Sequence, residues 1–285
     1  MGFFKRHKGR SSYDLLSNYS HFTPGIMELI WIVLFMLLGV FIGSAVLQAF
    51  VMCGYAQAVL KYGVLIAYPL MFIPAMLYAS AVSRRNDGFE VGYALDNNNF
   101  GTHRGFTMAF AAFAMSIATA IVIEPVNMLM PDMSAEMMQK MEALIGGPVW
   151  VTFISVSIFA PFFEEWLCRG IVLRGLLKKV SPAWAVVISA AFFALIHMNL
   201  WQAVPAFLMG LVFGYVYYKT GSLKLTMLMH CVNNTMAALL SRVPSLKDVD
   251  SIVDVMSPWT YASIFICCAA FLVSTVVVLM NMPRK

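Results

Sequence analysis

The sequence predicts an all-α membrane protein, a polytopic bundle of about eight transmembrane helices, and three observations lead to this fold class. The 285-residue chain is 61% hydrophobic and only 12% charged, whereas a soluble protein is about 45–50% apolar and about 25% charged. Its apolar residues form repeated runs of the length that crosses a bilayer. Short clusters of Lys and Arg separate these runs, as membrane orientation signals do. No soluble domain is predicted.

Eight apolar spans can be drawn, each about 16–28 residues long against the roughly 17–25 residues that a membrane helix needs. The first span is too long for the core of a signal peptide, so we expect it to be retained. Between the third and fourth spans, Met and Leu recur at helical spacing in a polar segment, which predicts a short amphipathic helix on the outer surface. We favour interfacial packing over substrate contact for this helix. The spans are 25–52, 62–82, 106–130, 148–173, 183–198, 202–218, 223–240 and 259–282.

These spans divide the chain into four predicted segments. They are a cytoplasmic N-terminal segment (1–24), three N-terminal helices with the outer amphipathic segment (25–147), a core of helices four to seven (148–240), and an outer loop with the last helix (241–285). Most Lys and Arg residues then fall on the side of the N-terminus, and the positive-inside rule predicts that both termini are cytoplasmic. We expect a multi-pass protein of a bacterial plasma membrane.

Cysteine usage argues against a zinc-bound or disulfide-framed protein, and the distribution of charge argues against a nucleic-acid-binding protein. The five cysteines lie in or beside apolar spans and have neither zinc-ligand spacing nor the paired spacing of a disulfide framework, so we interpret them as packing residues. The net charge of +5 comes from clusters between spans rather than from a basic domain. Nucleic acid is therefore not an expected partner, whereas membrane lipid is.

Carboxylates and an arginine interrupt the fourth span, where burial at bilayer depth costs several kcal/mol and usually marks function. Glu165 and Arg169 are four residues apart, share one helix face and can form an ion pair. Glu164 points about 100° away, which leaves it without a local partner and makes it the catalytic candidate. Pro161 removes a backbone hydrogen bond and can kink the helix beside a cavity.

Two histidines and an asparagine interrupt later spans. Phe193 precedes His197 by four residues at the end of the fifth span, and His230 and Asn234 are four apart on one face of the seventh. A single histidine is more often a packing residue, and a His–Asn pair can bridge two membrane helices. Their joint occurrence favours a shared site. Counted along the helices, His197 is nevertheless about 21 Å from the cytoplasmic end, against roughly 10–16 Å for the other candidates.

Three motifs in order resemble those of the CAAX-protease and bacteriocin-processing family of intramembrane peptidases, also called the ABI family. EEWLCRG resembles its EExxxR motif, FALIH its FxxxH motif and HCVNN its HxxxN motif. The resemblance covers residues 148–240 and implies a bundle of eight helices. It also implies that Glu164 is the general base on water assisted by His197, that His230 and Asn234 stabilise the oxyanion, and that supporting roles fall to Glu165, Arg169 and Phe193.

A metal is the open question about this chemistry. The three side chains Glu164, His197 and His230 could hold zinc with a water molecule as fourth ligand. We favour a metal-free mechanism with no cofactor, because the three groups lie on separate helices and Asn234 suits an oxyanion better than zinc.

Other polar and small residues receive structural interpretations. Gly210 and Gly214 form a GxxxG pattern, which permits close packing beside the catalytic helices rather than a dimer face. Glu28 and Glu124 lie toward span ends, so we expect interfacial positions for both.

Three function hypotheses follow from the sequence. The first is an endopeptidase that uses a glutamate-activated water near the cytoplasmic side of the membrane, on a prenylated CAAX-type protein or on a bacteriocin or pheromone-type peptide. The second is a non-proteolytic scaffold or a bacteriocin self-immunity protein of the same fold. The third is a proton- or ion-coupled transporter, which lacks the support of an internal repeat.

Overall fold

The computed structural model describes residues 17–88, 92–243 and 252–282, and no strand occurs in these ranges. The predicted all-α bundle is confirmed. The helices are α1 (Ile26–Met52), α2 (Ala56–Tyr62), α3 (Val64–Asn86), α4 (Gly105–Asn127), α5 (Ala135–Ile145), α6 (Val149–Leu176), α7 (Pro182–Leu195), α8 (Leu200–Thr220), α9 (Leu223–Leu240) and α10 (Pro258–Met280).

Six stretches within the described residues are long and apolar enough to cross a membrane, and the protein is an integral multi-pass membrane protein. They are α1 continued through α2, and then α3, α4, α6, α8 and α10. The predicted spans 183–198 and 223–240 correspond to α7 and α9, which are not among the six. With 14 residues, α7 is about 21 Å long, well short of the roughly 30 Å of hydrocarbon in a bilayer.

Several expectations at the ends of the chain lie outside the described residues. Residues 1–16, 244–251 and 283–285 carry part of the basic residues on which the predicted orientation depends, so that orientation stays a prediction. The predicted amphipathic helix is present as α5, and its outer location stays a prediction. The Ser134 side chain caps the helix by accepting a hydrogen bond from the backbone N–H of Met137 at 3.3 Å. Glu28 lies in the first turn of α1, where its Oε2 accepts the Gly25 N–H at 2.7 Å.

The long helix α6 is not uniform along its length. Two π-helical stretches, Phe153–Phe159 and Trp166–Leu173, flank a short α-helical piece, Ala160–Glu165. Pro161 lies in that piece, and its ring would clash with the carbonyl of residue 157 in a regular α-helix. Widening the preceding turn relieves the clash. Such π-helical turns are frequent at functional sites.

Two apolar clusters hold the bundle together. The larger joins α1, α3, α6 and α7, with Phe72 and Leu167 fully buried in it. The smaller joins α4, α8, α9 and the end of α10, around Phe213 and Met229. Most of α6 packs in the larger cluster and most of α9 in the smaller, and the two helices contact each other where the clusters meet.

The GxxxG pattern of α8 packs against α7 within the chain, as predicted. A Cβ atom on Gly210 would come within 3.0 Å of the Ala190 Cα, and one on Gly214 within 3.2 Å of a Val186 methyl group. Larger residues would therefore force the two helices apart. The close contact also brings α8 near Arg169, whose Nη2 would lie 3.3 Å from a Cβ atom added to Gly210.

The linker between α3 and α4 lies against the end of α8. Backbone N–H groups of Asn97 and Asn99 donate to the carbonyls of Gly221 and Thr220, each at 2.9 Å. Gly221 has a left-handed φ of +67°, and a Cβ atom there would meet the Asn97 carbonyl oxygen at 2.3 Å. Only glycine fits both the backbone conformation and the close approach.

Candidate active site

The four predicted catalytic side chains line one cavity. Glu164 comes from α6, His197 from the turn between α7 and α8, and His230 and Asn234 from α9. The cavity has a volume of about 540 Å³. Residues up to 70 positions apart in the sequence therefore meet at one place.

The two oxygens of the Glu164 carboxylate have different surroundings. Its Oε1 accepts a hydrogen bond from the hydroxyl of Tyr68 on α3. Its Oε2 is buried and has no hydrogen-bond partner among the described residues. This oxygen lies 3.9 Å from the Nε2 atoms of both His197 and His230. One oxygen is therefore held by Tyr68, and the other faces two imidazoles across a gap too long for a direct hydrogen bond.

His197 follows the end of α7 and lies in a tight turn. Its Nδ1 is 2.8 Å from the Phe193 carbonyl, and the Asn199 side chain donates to the His197 carbonyl at 2.8 Å. A carbonyl can only accept, so Nδ1 carries a proton and Nε2 faces Glu164. The next residue, Met198, has a left-handed φ of 52°, which lets the chain reverse into α8. The greater depth counted for His197 along its own helix does not separate the two side chains, since its Nε2 lies 3.9 Å from Oε2 of Glu164.

The ion pair expected between Glu165 and Arg169 is present and fully buried, with the Arg169 Nη1 2.8 Å from the Glu165 Oε1. The same oxygen lies 3.1 Å from Nδ1 of His230. Arg169 also donates to the Gly210 carbonyl at 3.3 Å. Glu165 is thus the link between Arg169 and His230, a connection that the sequence did not indicate.

Phe193 packs against three members of this network. Its ring meets His197 and His230 edge to face, with centroids 5.1 and 5.5 Å apart, and the Arg169 guanidinium lies 4.3 Å from its centroid. Phe213 on α8, which the sequence analysis missed, lies 5.9 Å from the His230 ring. The two aromatic rings limit the rotation of both the imidazole and the guanidinium.

Asn234 lies one turn beyond His230 on α9, and its amide is partly engaged. One N–H donates to the Val156 carbonyl in the first π-helical stretch of α6 at 2.9 Å. Its oxygen is 3.3 Å from the Asn233 amide nitrogen. The irregular turn of α6 therefore helps to orient the amide, whose second N–H remains for another acceptor.

Tyr68 is a second site residue that sequence reasoning missed. It lies in the second predicted span, outside the motif-bearing core, directly before Pro69. A tyrosine in an apolar run is a weak signal, since its hydroxyl needs a partner when buried but the sequence does not say which. The N-terminal helices thus contribute a hydrogen-bond donor to the site.

The cavity leads toward the end of the bundle that carries α5. It is lined there by Met141 of α5, by Gln202 at the start of α8, and by Ser241 after the end of α9. Arg174 and Lys224 lie at the opposite end of the same helix set. The expected cleavage near the cytoplasmic side and the expected interfacial packing of α5 both stay predictions, and the structure adds that Met141 of α5 lines the cavity.

The spacing of the three candidate metal ligands was compared with that of a zinc site. Two ligand atoms of a tetrahedral zinc, each about 2.0–2.2 Å from the metal, lie roughly 3.3–3.5 Å apart. The Glu164 Oε2 is 3.9 Å from each histidine Nε2. Within the described ranges, no group of three or more His, Cys, Asp or Glu side chains is arranged to hold a metal ion. As placed, Glu164, His197 and His230 do not fit zinc.

Comparison with known proteins gives one family and one curated relative. Residues 146–236 match the model of the type II CAAX prenyl endopeptidase Rce1-like family. Over 88 residues, 31% of this chain, the sequence is 27% identical to a Bacillus subtilis (strain 168) protein named "Putative membrane peptidase YdiL". The chain spans about a third of the length of that relative, 36%. No solved structure matches the chain. The family resemblance of the three motifs is therefore confirmed, and it covers α6 to most of α9.

Proposed function

We propose, from the premise that residues 146–236 match this peptidase family, that the protein is an intramembrane endopeptidase which hydrolyses a peptide bond with a water activated by Glu164. The observation that supports this best is that the imidazole rings of His197 and His230 converge on the Oε2 atom of Glu164. This buried oxygen faces the Nε2 atoms of His197 and His230 at 3.9 Å each. Three polar groups converge at this point inside an otherwise apolar bundle.

The 3.9 Å spacing suits a water molecule. A water oxygen about 2.8 Å from Oε2 of Glu164 and about 2.8 Å from the Nε2 of either histidine makes normal hydrogen bonds to both atoms across the 3.9 Å gap. Glu164 Oε2 takes a proton from this water as the oxygen attacks the scissile carbonyl carbon, which is general base catalysis. The Tyr68 hydroxyl holds the other carboxylate oxygen, so that Oε2 stays directed toward the water.

His230 and Asn234 stabilise the oxyanion in this proposal. Since Nδ1 of His230 donates to Glu165, its Nε2 can donate only when the ring is protonated. In that form both ring nitrogens donate, Nδ1 to Glu165 and Nε2 to the oxyanion, and Arg169 pairs with the same Glu165 carboxylate. The second N–H of Asn234 is the other donor. A preorganised donor of this kind is worth a few kcal/mol in the transition state.

His197 completes the proton transfers. Its Nδ1 proton is fixed by the Phe193 carbonyl, so Nε2 can accept a proton from water or from the protonated Glu164. That proton then goes to the nitrogen of the leaving amine when the C–N bond breaks. The cycle ends with both products released and Glu164 ionised again.

We propose that the substrate is a membrane-associated peptide, either the end of a lipidated CAAX-type protein or a bacteriocin or pheromone-type peptide. The cavity volume of about 540 Å³ and its mixed lining fit a short extended segment rather than a folded domain. We propose that the segment enters at the α5 end, to which the cavity extends. A non-proteolytic scaffold or self-immunity protein needs no such cavity lined by Glu164, and a transporter needs paired broken helices.

The experiment that tests this function compares the peptides released from membranes that contain the wild-type protein with those from membranes that contain Glu164→Ala. We expect a set of membrane-derived peptides that appears with the wild-type protein alone. Identical peptide profiles at equal expression would favour the scaffold or immunity function.

We predict that peptide cleavage survives exhaustive chelation, because the Glu164 and histidine spacing suits water better than zinc. The measurement is the rate of cleavage by purified protein after prolonged dialysis against a chelator, together with elemental analysis. As a matched kinetic test, Asn234→Ala should lower kcat by about 10²–10³-fold with little change in KM. Stoichiometric zinc, with activity lost on its removal and recovered on its return, would contradict the metal-free mechanism and leave the peptidase assignment intact.

A further inference from the structure

A second polar cavity lies at the basic end of the bundle, away from the candidate active site. Its volume is about 340 Å³, and it lies between the α3–α4 linker, the end of α6, the start of α7 and the end of α8. No carboxylate of the described residues lines it. Its polar lining consists of three cations, two amides and a phenol: Arg174, Lys178, Lys219, Asn97, Asn99 and Tyr218.

The charge of the lining cations is only partly compensated by nearby groups. The Nε atom of Arg174 is buried and has no hydrogen-bond partner among the residues that the structure describes. Arg174 and Lys178 both lie over the Tyr93 ring, at 5.6 and 5.7 Å from its centroid. Lys219 is 4% exposed and donates to the carbonyl of Met280, a neutral acceptor, at 3.1 Å.

Asp96, the linker carboxylate next to Asn97, is engaged at the start of α9. It pairs with Lys224 at 3.2 Å and accepts the Leu223 N–H at 2.9 Å. The first turn of α7 adds to the positive field, since Pro182 lines the cavity and Ser181 makes no side-chain cap to the helix.

We propose that this cavity binds the phosphate of an anionic phospholipid headgroup. The apolar helices α6, α8 and α10 end at Leu176, Thr220 and Met280, so the cavity lies at the depth where the hydrocarbon ends and headgroups begin. A basic pocket between membrane helices at this depth is suited to an anionic headgroup. Guanidinium and ammonium donors with amide N–H groups match the oxygens of a phosphodiester.

The test is thermal unfolding of the purified full-length chain in a zwitterionic detergent, with short-chain phosphatidylglycerol added. At roughly 100 times its Kd, this lipid should raise Tm by about 5–10 °C, while short-chain phosphatidylcholine should have little effect. Arg174→Gln combined with Lys178→Gln should weaken the apparent affinity by at least about 10-fold. The exposed Lys178→Gln alone should weaken it measurably and is the variant to use if the double variant fails to fold.

Lys179→Gln is the matched control, because Lys179 is exposed, adjacent in sequence and absent from the cavity lining. It should retain the full lipid effect. An equal loss of apparent lipid affinity in Lys179→Gln and Lys178→Gln would mean that the lipid is attracted by general surface charge, and would overturn the site. An equal Tm rise with phosphatidylcholine would overturn anion recognition, and an equal rise with inorganic phosphate would assign the cavity to free phosphate instead of lipid.

Discussion

Replacement of Glu164 by Gln should lower peptide cleavage by about 10²–10⁴-fold, the usual contribution of a positioned general base, while the protein should still insert and fold. The amide fills the same volume, and its carbonyl oxygen can still accept the Tyr68 hydroxyl. It cannot take a proton from water. The measurement is single-turnover cleavage by the purified variant, with chromatographic behaviour and thermal unfolding compared with those of the wild-type protein.

Glu124→Gln is the matched control for this experiment. Glu124 is another carboxylate in an apolar helix, α4, and its Oε2 contacts the Asn127 amide at 3.1 Å rather than the cavity. We expect that variant to keep its activity. Normal turnover by Glu164→Gln would remove Glu164 from the role of base.

Tyr68→Phe tests how the base is positioned. A hydrogen bond to a charged group contributes about 1.5–3 kcal/mol, so its loss should lower kcat by roughly 10–100-fold with little change in KM. Tyr78→Phe is the control on the same helix, since Tyr78 stacks on Phe35 with centroids 5.0 Å apart and does not line the cavity. Equal kinetics for the two variants would mean that Tyr68 is a packing residue.

The largest effect on stability is expected for Glu165→Gln. Glu165 and Arg169 are each 0% exposed, and removal of one partner from a buried ion pair costs about 3–5 kcal/mol because the other charge stays uncompensated. The free energy of unfolding in mixed micelles should fall by up to that amount. Activity should fall as well, since Nδ1 of His230 loses its carboxylate partner.

A second substitution separates the stability effect from the activity effect. Arg169→Met added to Glu165→Gln removes the unpaired charge and keeps an apolar side chain beside Phe193 and Phe213, so the double variant should be more stable than Glu165→Gln. Its activity should stay low. If Glu165→Gln unfolds like the wild-type protein, the buried pair does not carry the expected stability.

The features that the sequence predicted correctly depend on short separations along one helix. Glu165 and Arg169 are four residues apart, so helical geometry alone brings their side chains together. The GxxxG pattern likewise indicates a face on which backbone can approach a neighbouring helix. The helical spacing of Met and Leu likewise predicted the amphipathic helix α5 from one short segment.

The features that the sequence missed depend on contacts between distant segments. The hydroxyl of Tyr68 reaches Glu164 across 96 positions, and Nδ1 of His230 reaches Glu165 across 65. No local periodicity encodes either contact.

The sequence by itself determined that the protein is a helical membrane protein and which polar side chains interrupt its apolar helices, because the cost of placing charge in hydrocarbon makes such residues informative one at a time. Only the tertiary structure decided how those side chains face one another. The packing of α7 against α8 places His197 beside Glu164, the π-helical turns of α6 orient Asn234, and the contact of α3 with α6 supplies Tyr68. These arrangements follow from the shapes of packed helices, since side chains interdigitate at close to crystal density and small changes in helix position decide which groups meet.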